Sequence, residues 1–172
     1  EAGSMDYKET YEKILGEYRQ VFERVDQDNM RAFIDEVKAH ERIFLIGVGR
    51  EGMATRAFAM RLMHMGKEIH WIWDDTTPSI GEGDLLIATL GDGRIGHINY
   101  ICERAKEAGA MIYVVTGSPS GDTAKNVPAF QPMGNLFEQC LLILFDIIIM
   151  TIVDETPGLT FEKMSKNHRN VE

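Results

Sequence analysis

At 172 residues, with 44% hydrophobic and 26% charged side chains, the chain has the apolar content of one globular domain, which excludes a disordered or fibrous class. Its formal net charge of −9 at pH 7 argues against nucleic acid or an anionic membrane surface as a partner. Cys102 and Cys140 have neither metal-ligand spacing nor the density of a disulfide framework, so a reducing, cytoplasmic setting is expected. No secretory leader opens the chain, and Glu1 to Ser4, ahead of Met5, read as an appended leader outside the fold.

Tyr7, Tyr11, Ile14, Leu15, Tyr18, Phe22 and Val25 recur at helical spacing and predict an amphipathic first helix. A second, with the stripe Met30, Phe33, Ile34 and Val37, is expected to be capped by Asp28 or Asn29. The pattern then changes to alternation. A strand at 42–46 runs through a glycine turn, Gly47-Val48-Gly49-Arg50-Glu51-Gly52, into a helix at 50–65 that stops at Gly66. A strand at 68–73 and a loop holding Thr77-Pro78 and Gly81-Glu82-Gly83 come next. The strand at 85–89 meets a second glycine turn, Gly91-Asp92-Gly93-Arg94-Ile95-Gly96, then a helix at 96–108 ending at Gly109, and a strand at 111–116. Short apolar strands alternating with helices predict an α/β domain whose parallel sheet is covered on both faces.

Residues 118–128 are turn-rich, and 129–132 are expected to form a short edge strand weakened by Pro128 and Pro132. A long apolar helix follows at 135–153, broken at Thr156-Pro157-Gly158, and Thr160 caps a short last helix. The run 141–153 is too short for a bilayer span, which takes about 20 apolar residues, and Asp146 interrupts it. A helix apolar on nearly all sides is instead expected to bury a second face, either against another subunit, together with the methionine-rich segment 53–65, or within the same subunit. The expected layout is one domain over 5–172: helices at 5–40, the α/β core at 42–153, and a terminal helix and tail at 156–172.

A strand, a glycine turn and a helix start together aim backbone N–H groups and a helix dipole at an anion. The candidate binding residues are therefore Gly47, Gly49, Arg50 and Glu51 in the first turn, and Gly91, Asp92, Gly93 and Arg94 in the second. Glu51 and Asp92 are carboxylates where phosphate would want hydroxyls, and each adjoins an arginine with which pairing is expected. Gly47-x-Gly49-x-x-Gly52 also has the spacing of a dinucleotide fingerprint, with Asp74-Asp75 placed to meet a ribose. His40, His70 and His97 lack metal spacing, so neither a metal nor a cofactor is expected.

The stretch Arg56-Ala57-Phe58-Ala59-Met60-Arg61-Leu62-Met63-His64-Met65-Gly66, after Gly47-Val48-Gly49-Arg50, resembles the 6-phospho-3-hexuloisomerase family of sugar isomerase (SIS) domains. Thr77-Pro78, Gly83-Asp84-Leu85-Leu86, Val115-Thr116-Gly117, Pro132-Met133-Gly134-Asn135-Leu136-Phe137-Glu138 and the terminal Asn167-His168-Arg169-Asn170-Val171-Glu172 follow in the family's order. The resemblance implies a three-layer, flavodoxin-like parallel sheet preceded by two helices, a homotetramer, and aldose–ketose type isomerisation of a phosphorylated sugar. It also implies Glu138 as the base, with His64 or His168 as the second proton-moving group. From pattern alone, Asn135-x-x-Glu138 also reads as a capping box, His64 as a packed core or interface residue, and His168 as a solvated one. The family's second loop reads Ser-Gly-Ser-Gly-Glu-Thr, where this chain has Leu90-Gly91-Asp92-Gly93-Arg94-Ile95, and Glu51 stands in place of a first-loop serine. Two functions follow: an SIS sugar isomerase-like protein with an altered phosphate loop, or a non-catalytic SIS domain that senses a sugar or metabolite.

Overall fold

The fold is built on a four-stranded parallel sheet in the order β2-β1-β3-β4, with β1 at Arg42–Ile46, β2 at Glu68–Trp71, β3 at Leu85–Leu90 and β4 at Met111–Thr116. The computed structural model describes residues 3–91, 96–117 and 135–171, and element counts refer to these. The edge strand expected at 129–132 lies outside them. Two central strands, β1 and β3, are apolar in unbroken runs, and Ile43 to Ile46 and Leu85 to Ala88 are fully buried, as a sheet covered on both faces requires.

The chain leaves β1 for β2 in one direction through α3 (Gly49–His64) and leaves β3 for β4 in the other through α4 (Gly96–Glu107). Right-handed crossovers of opposite sense place α3 and α4 on opposite faces of the sheet. The order therefore reverses between β1 and β3, and a crevice opens at the carboxyl ends of those two strands. Both glycine turns of the sequence begin there.

Around this frame lie α1 (Tyr7–Glu23), α2 (Gln27–Ala39), α5 (Asn135–Glu155) and α6 (Phe161–Lys166). Helix α5 covers α3: Phe58 and Phe145 stack at 4.1 Å between ring centroids, with Phe33 of α2 at 6.2 Å and 6.4 Å from them. Tyr18 of α1 donates to Gln139 Oε1 at 2.7 Å and fixes α1 against the start of α5. At the amino ends of the central strands, Arg42 donates to both oxygens of the buried Asp84 at 2.8 Å, and Gly81 N–H adds a third bond at 2.8 Å. The Arg42 bonds hold the Asp84 carboxyl below its usual range against the opposing effect of burial.

Three boundaries differ from the sequence reading by two residues or more. The α2 cap is Asp26, whose carboxylate accepts from Asp28 and Asn29 N–H at 2.9 Å and 3.1 Å; the apolar stripe starts a turn later than the helix does. Strand β2 stops at Trp71, because Asp74 N–H turns back to Trp71 O at 3.1 Å. Helix α5 runs 21 residues, longer than its apolar run, and by length and composition alone it is long enough to cross a membrane. Here it is a core helix on one side, burying Leu141, Phe145, Ile148 and Ile152, while Leu142, Ile147 and Met150 remain exposed.

Candidate sugar site

The crevice is shaped by how closely β1 can approach the start of α3. A Cβ on Gly52 would lie 2.7 Å from Gly47 O, and one on Gly47 would lie 2.4 Å from Thr89 Oγ1, so the turn closes only with glycine at both places. Gly49 adds a positive φ of 57° at the first residue of α3. Beneath the turn the buried hydroxyls of Thr55 and Thr89 are 2.8 Å apart, and Thr55 also donates to Glu51 O at 2.8 Å. This bond ties α3 to β3 and so fixes one glycine turn relative to the other.

Helix α5 brings the third wall. The Phe137 ring fits between two glycines: a Cβ on Gly117 would come within 2.9 Å of it, and a Cβ on Gly91 within 3.2 Å. Its neighbour Glu138 is thereby directed into the crevice, where its carboxylate accepts a hydrogen bond from Arg50 Nε. Helix α5 already includes Asn135 as its first residue, so Asn135 is not the cap of a capping box; the pairing of Glu138 is across the crevice.

Glu51 takes a different partner from the one expected. Residues i and i+1 on a helix point about 100° apart, so Arg50 and Glu51 cannot face one another. Arg50 turns to Glu138, and Glu51 Oε2 accepts the Gly91 N–H at 2.9 Å. Gly47, Gly49, Arg50, Glu51, Gly91 and Glu138 thus converge at the strand ends. Asp92, Gly93 and Arg94, the other binding residues expected from sequence, lie outside the described residues. A phosphate about 4 Å from the Glu51 carboxylate would meet a repulsion of roughly 4 kcal/mol per pair of unit charges at an effective dielectric of 20.

The two histidines sit elsewhere. His64 closes the far end of α3 from Arg50, and 14 residues at 1.5 Å each put it about 21 Å away along the helix. The solvated reading of His168 is overturned: Met164 is buried, which docks α6 on α3 and folds the tail back. His168 Nδ1 then lies 3.0 Å from His64 Nε2, while Asn167 Nδ2 donates to His64 O at 2.8 Å. Arg61 Nη1 lies 3.2 Å from His64 Nδ1. Arginine only donates, so Nδ1 accepts and the His64 proton resides on Nε2, facing His168. Within one chain the structure joins His64 to His168 and Glu138 to Arg50, and keeps the two pairs apart.

Thr55, Thr89 and Phe137 support the crevice and were not singled out from sequence. The available signal was Thr89, a lone hydroxyl inside a strand that is otherwise apolar and buried. Among the described residues no cluster of His, Cys, Asp or Glu could hold a metal.

Burial, with Arg61 and His168 adding to it, lowers the His64 pKa below its ordinary 6.5. The contribution to stability is complete above 6.5 and falls as the pH drops from there toward the lowered folded value, because the unfolded chain then binds a proton that the folded chain refuses. Between pH 7 and 5 the melting temperature is expected to fall, and to fall less steeply for His64→Gln. Equal slopes for the two proteins in parallel thermal melts would contradict this placement of His64.

The fold agrees with that of a solved relative, and the sequence has named relatives over most of its length. The 3-hexulose-6-phosphate isomerase of Bacillus subtilis is 31% identical over 178 residues, covering 93% of this chain and 96% of that protein. The 3-hexulose-6-phosphate isomerase of Mycobacterium gastri is 32% identical, over 87% of this chain and 83% of its own length. A crystal structure of a Methanococcus jannaschii protein, described as implying 3-hexulose-6-phosphate isomerase function, superimposes with a TM-score of 0.79 at 28% identity, over 95% of this chain and 99% of that one. No protein-family model matches the chain.

Proposed function

The chain belongs to the 3-hexulose-6-phosphate isomerase family of SIS domains, and from that footing we propose that its strand-end crevice isomerises a ketose-type sugar derivative with Glu138 as the base. Moving a carbonyl between neighbouring carbons needs a base that takes the proton from the carbon between carbonyl and hydroxyl and returns it to the adjacent carbon. It also needs a cation or donor beside the oxygen on which negative charge develops in the enediolate, while the hydroxyl proton passes to the former carbonyl oxygen. Glu138 and Arg50 supply this pair, one carboxylate and one guanidinium joined across the crevice. That juxtaposition is the observation that carries the proposal. Arg50 is largely exposed while Glu138 is mostly covered, so Arg50 can swing toward a sugar oxygen while the base stays in place.

The same pair also favours a second reading. A base that remains bonded to Arg50 with sugar present would bind without turning over, and the chain would then act as a sensing domain.

Glu138→Gln separates the two. The amide keeps the shape and cannot accept the carbon-bound proton. With hexulose 6-phosphate at high concentration in heavy water, the unaltered protein is expected to exchange the carbon-bound hydrogen, and Glu138→Gln to lose this by at least about a hundredfold, in line with general-base contributions, with an unchanged melting temperature. Exchange that survives in the variant removes Glu138 from the reaction; no exchange in either protein supports the sensing role.

The histidine pair enters the chemistry only if a second copy carries it to the crevice. Met53, Met60 and Met63 of α3, Leu142, Ile147 and Met150 of α5, and Phe161 of α6 are exposed large apolar side chains. We propose that they are buried in a homotetramer, as the apolar run of the sequence suggests, and that the protein is cytoplasmic, consistent with two free thiols of which Cys140 is pushed up to about 11 by burial. Light scattering is expected to give a tetramer mass that Met150→Lys reduces. A monomer mass at all concentrations would contradict it.

A further inference from the structure

We infer that Trp73 is a sugar-stacking residue: its indole, held against His97 across the end of β1, meets the apolar C–H face of the sugar in the crevice. The inference rests on the reading of the crevice as the sugar site, and deepens it by naming the group that meets the sugar's carbons.

Strand β1 lies between β2 and β3. Trp73 stands two residues past the end of β2, and His97 is the second residue of α4, which follows β3. Their rings stack at 5.6 Å between centroids and 28° from parallel, so the pair reaches across the carboxyl end of β1. Helix α4 packs on the face of the sheet opposite α3, and the pair therefore borders the crevice on the side away from Arg50 and Glu138. The turn that carries Trp73 is braced on both sides of it. Ile72 N–H donates to Leu45 O at 3.1 Å, Asp74 N–H to Trp71 O at 3.1 Å, and Thr77 N–H to Asp74 O at 3.0 Å. Arg56 of α3 lies over the buried Trp71 ring at 4.2 Å and reaches within 3.6 Å of Asp74 Oδ1. The backbone that positions the indole is thus set before a ligand arrives, yet Trp73 is 51% exposed. An indole on such a turn keeps apolar surface that a ligand can remove from water, at little cost in ordering. A sugar suits this wall and the one facing it. Its hydroxyls meet Glu138 and Arg50, and its C–H groups form the apolar face that an aromatic ring covers.

Tryptophan emission of the full chain during titration with fructose 6-phosphate tests this, because the chain has 2 tryptophans and Trp71 is buried. The emission is expected to move to shorter wavelength as the sugar covers Trp73, and to stay unchanged with inorganic phosphate. Trp73→Phe, which keeps a ring face, is expected to lose the shift and retain most of the affinity measured by calorimetry. Trp73→Ala is expected to bind at least about tenfold more weakly, with an unchanged melting temperature. No shift, a shift that survives in Trp73→Phe, a shift given by inorganic phosphate alone, or a smaller loss in Trp73→Ala overturns the assignment. Should the alanine variant not fold, the shift and its loss in Trp73→Phe decide the matter. Carbon-hydrogen exchange reports on Glu138 and the emission shift reports on Trp73, so either idea can fail while the other stands.

Discussion

Everything at the site depends on one close approach, the closure of the β1–α3 turn over Thr89. Gly47 and Gly52 let two backbones meet where a single Cβ would force them apart, and the Thr55–Thr89 bond locks α3 to β3 beneath them. Because α3 is held in this way, Arg50 faces Glu138 and Glu51 faces Gly91, from successive residues pointing in different directions. Both contacts matter energetically: overpacking a closed turn costs about 1–3 kcal/mol, and losing one partner of a buried hydrogen bond costs a similar amount. The site is therefore positioned by packing at its base, below the residues that would touch a ligand.

The second anchor is Phe137. Its ring bridges the ends of β3 and β4 through Gly91 and Gly117, so the sheet holds the first turn of α5 in place. The apolar length of α5 then follows from its neighbours, since it covers α3 and α2 at once and leaves a further apolar stripe outward. The chain thus places the Arg50–Glu138 pair at one end of α3 and the histidine pair at the other, with an uncovered apolar surface on α3 and α5. In the proposed tetramer, a partner that covers the stripe is also the means by which the two ends would meet in one site.

Much of this was legible in the sequence, and for physical reasons. The strands β1, β3 and β4 follow from unbroken apolar runs next to glycine turns, and the alternation with helices fixes a parallel sheet with its crevice at the strand ends. Gly66 and Gly109 mark the helix ends by their positive φ. What the pattern did not reveal is direction. Arg50 and Glu51 are adjacent in sequence and looked like a pair, yet helix geometry separates them, and each finds a partner across the crevice 88 or 40 positions away. His168 looked solvated because nothing local pins it; a single buried methionine, Met164, is what docks its helix. Asp26 is not marked as a cap by the pattern, because a cap is expected beside the first apolar residue and α2 begins with a polar turn.

The claim on which the account stands is that the sugar binds at the strand ends. Amide chemical shifts followed by nuclear magnetic resonance during titration with fructose test this most directly. The account predicts that the largest changes fall at Gly47 to Gly52, Gly91 and Phe137 to Gln139. Changes centred instead on the groove between Arg61, Met150 and Met164, or at the amino ends of the strands around Asp84 and Ala110, would contradict it.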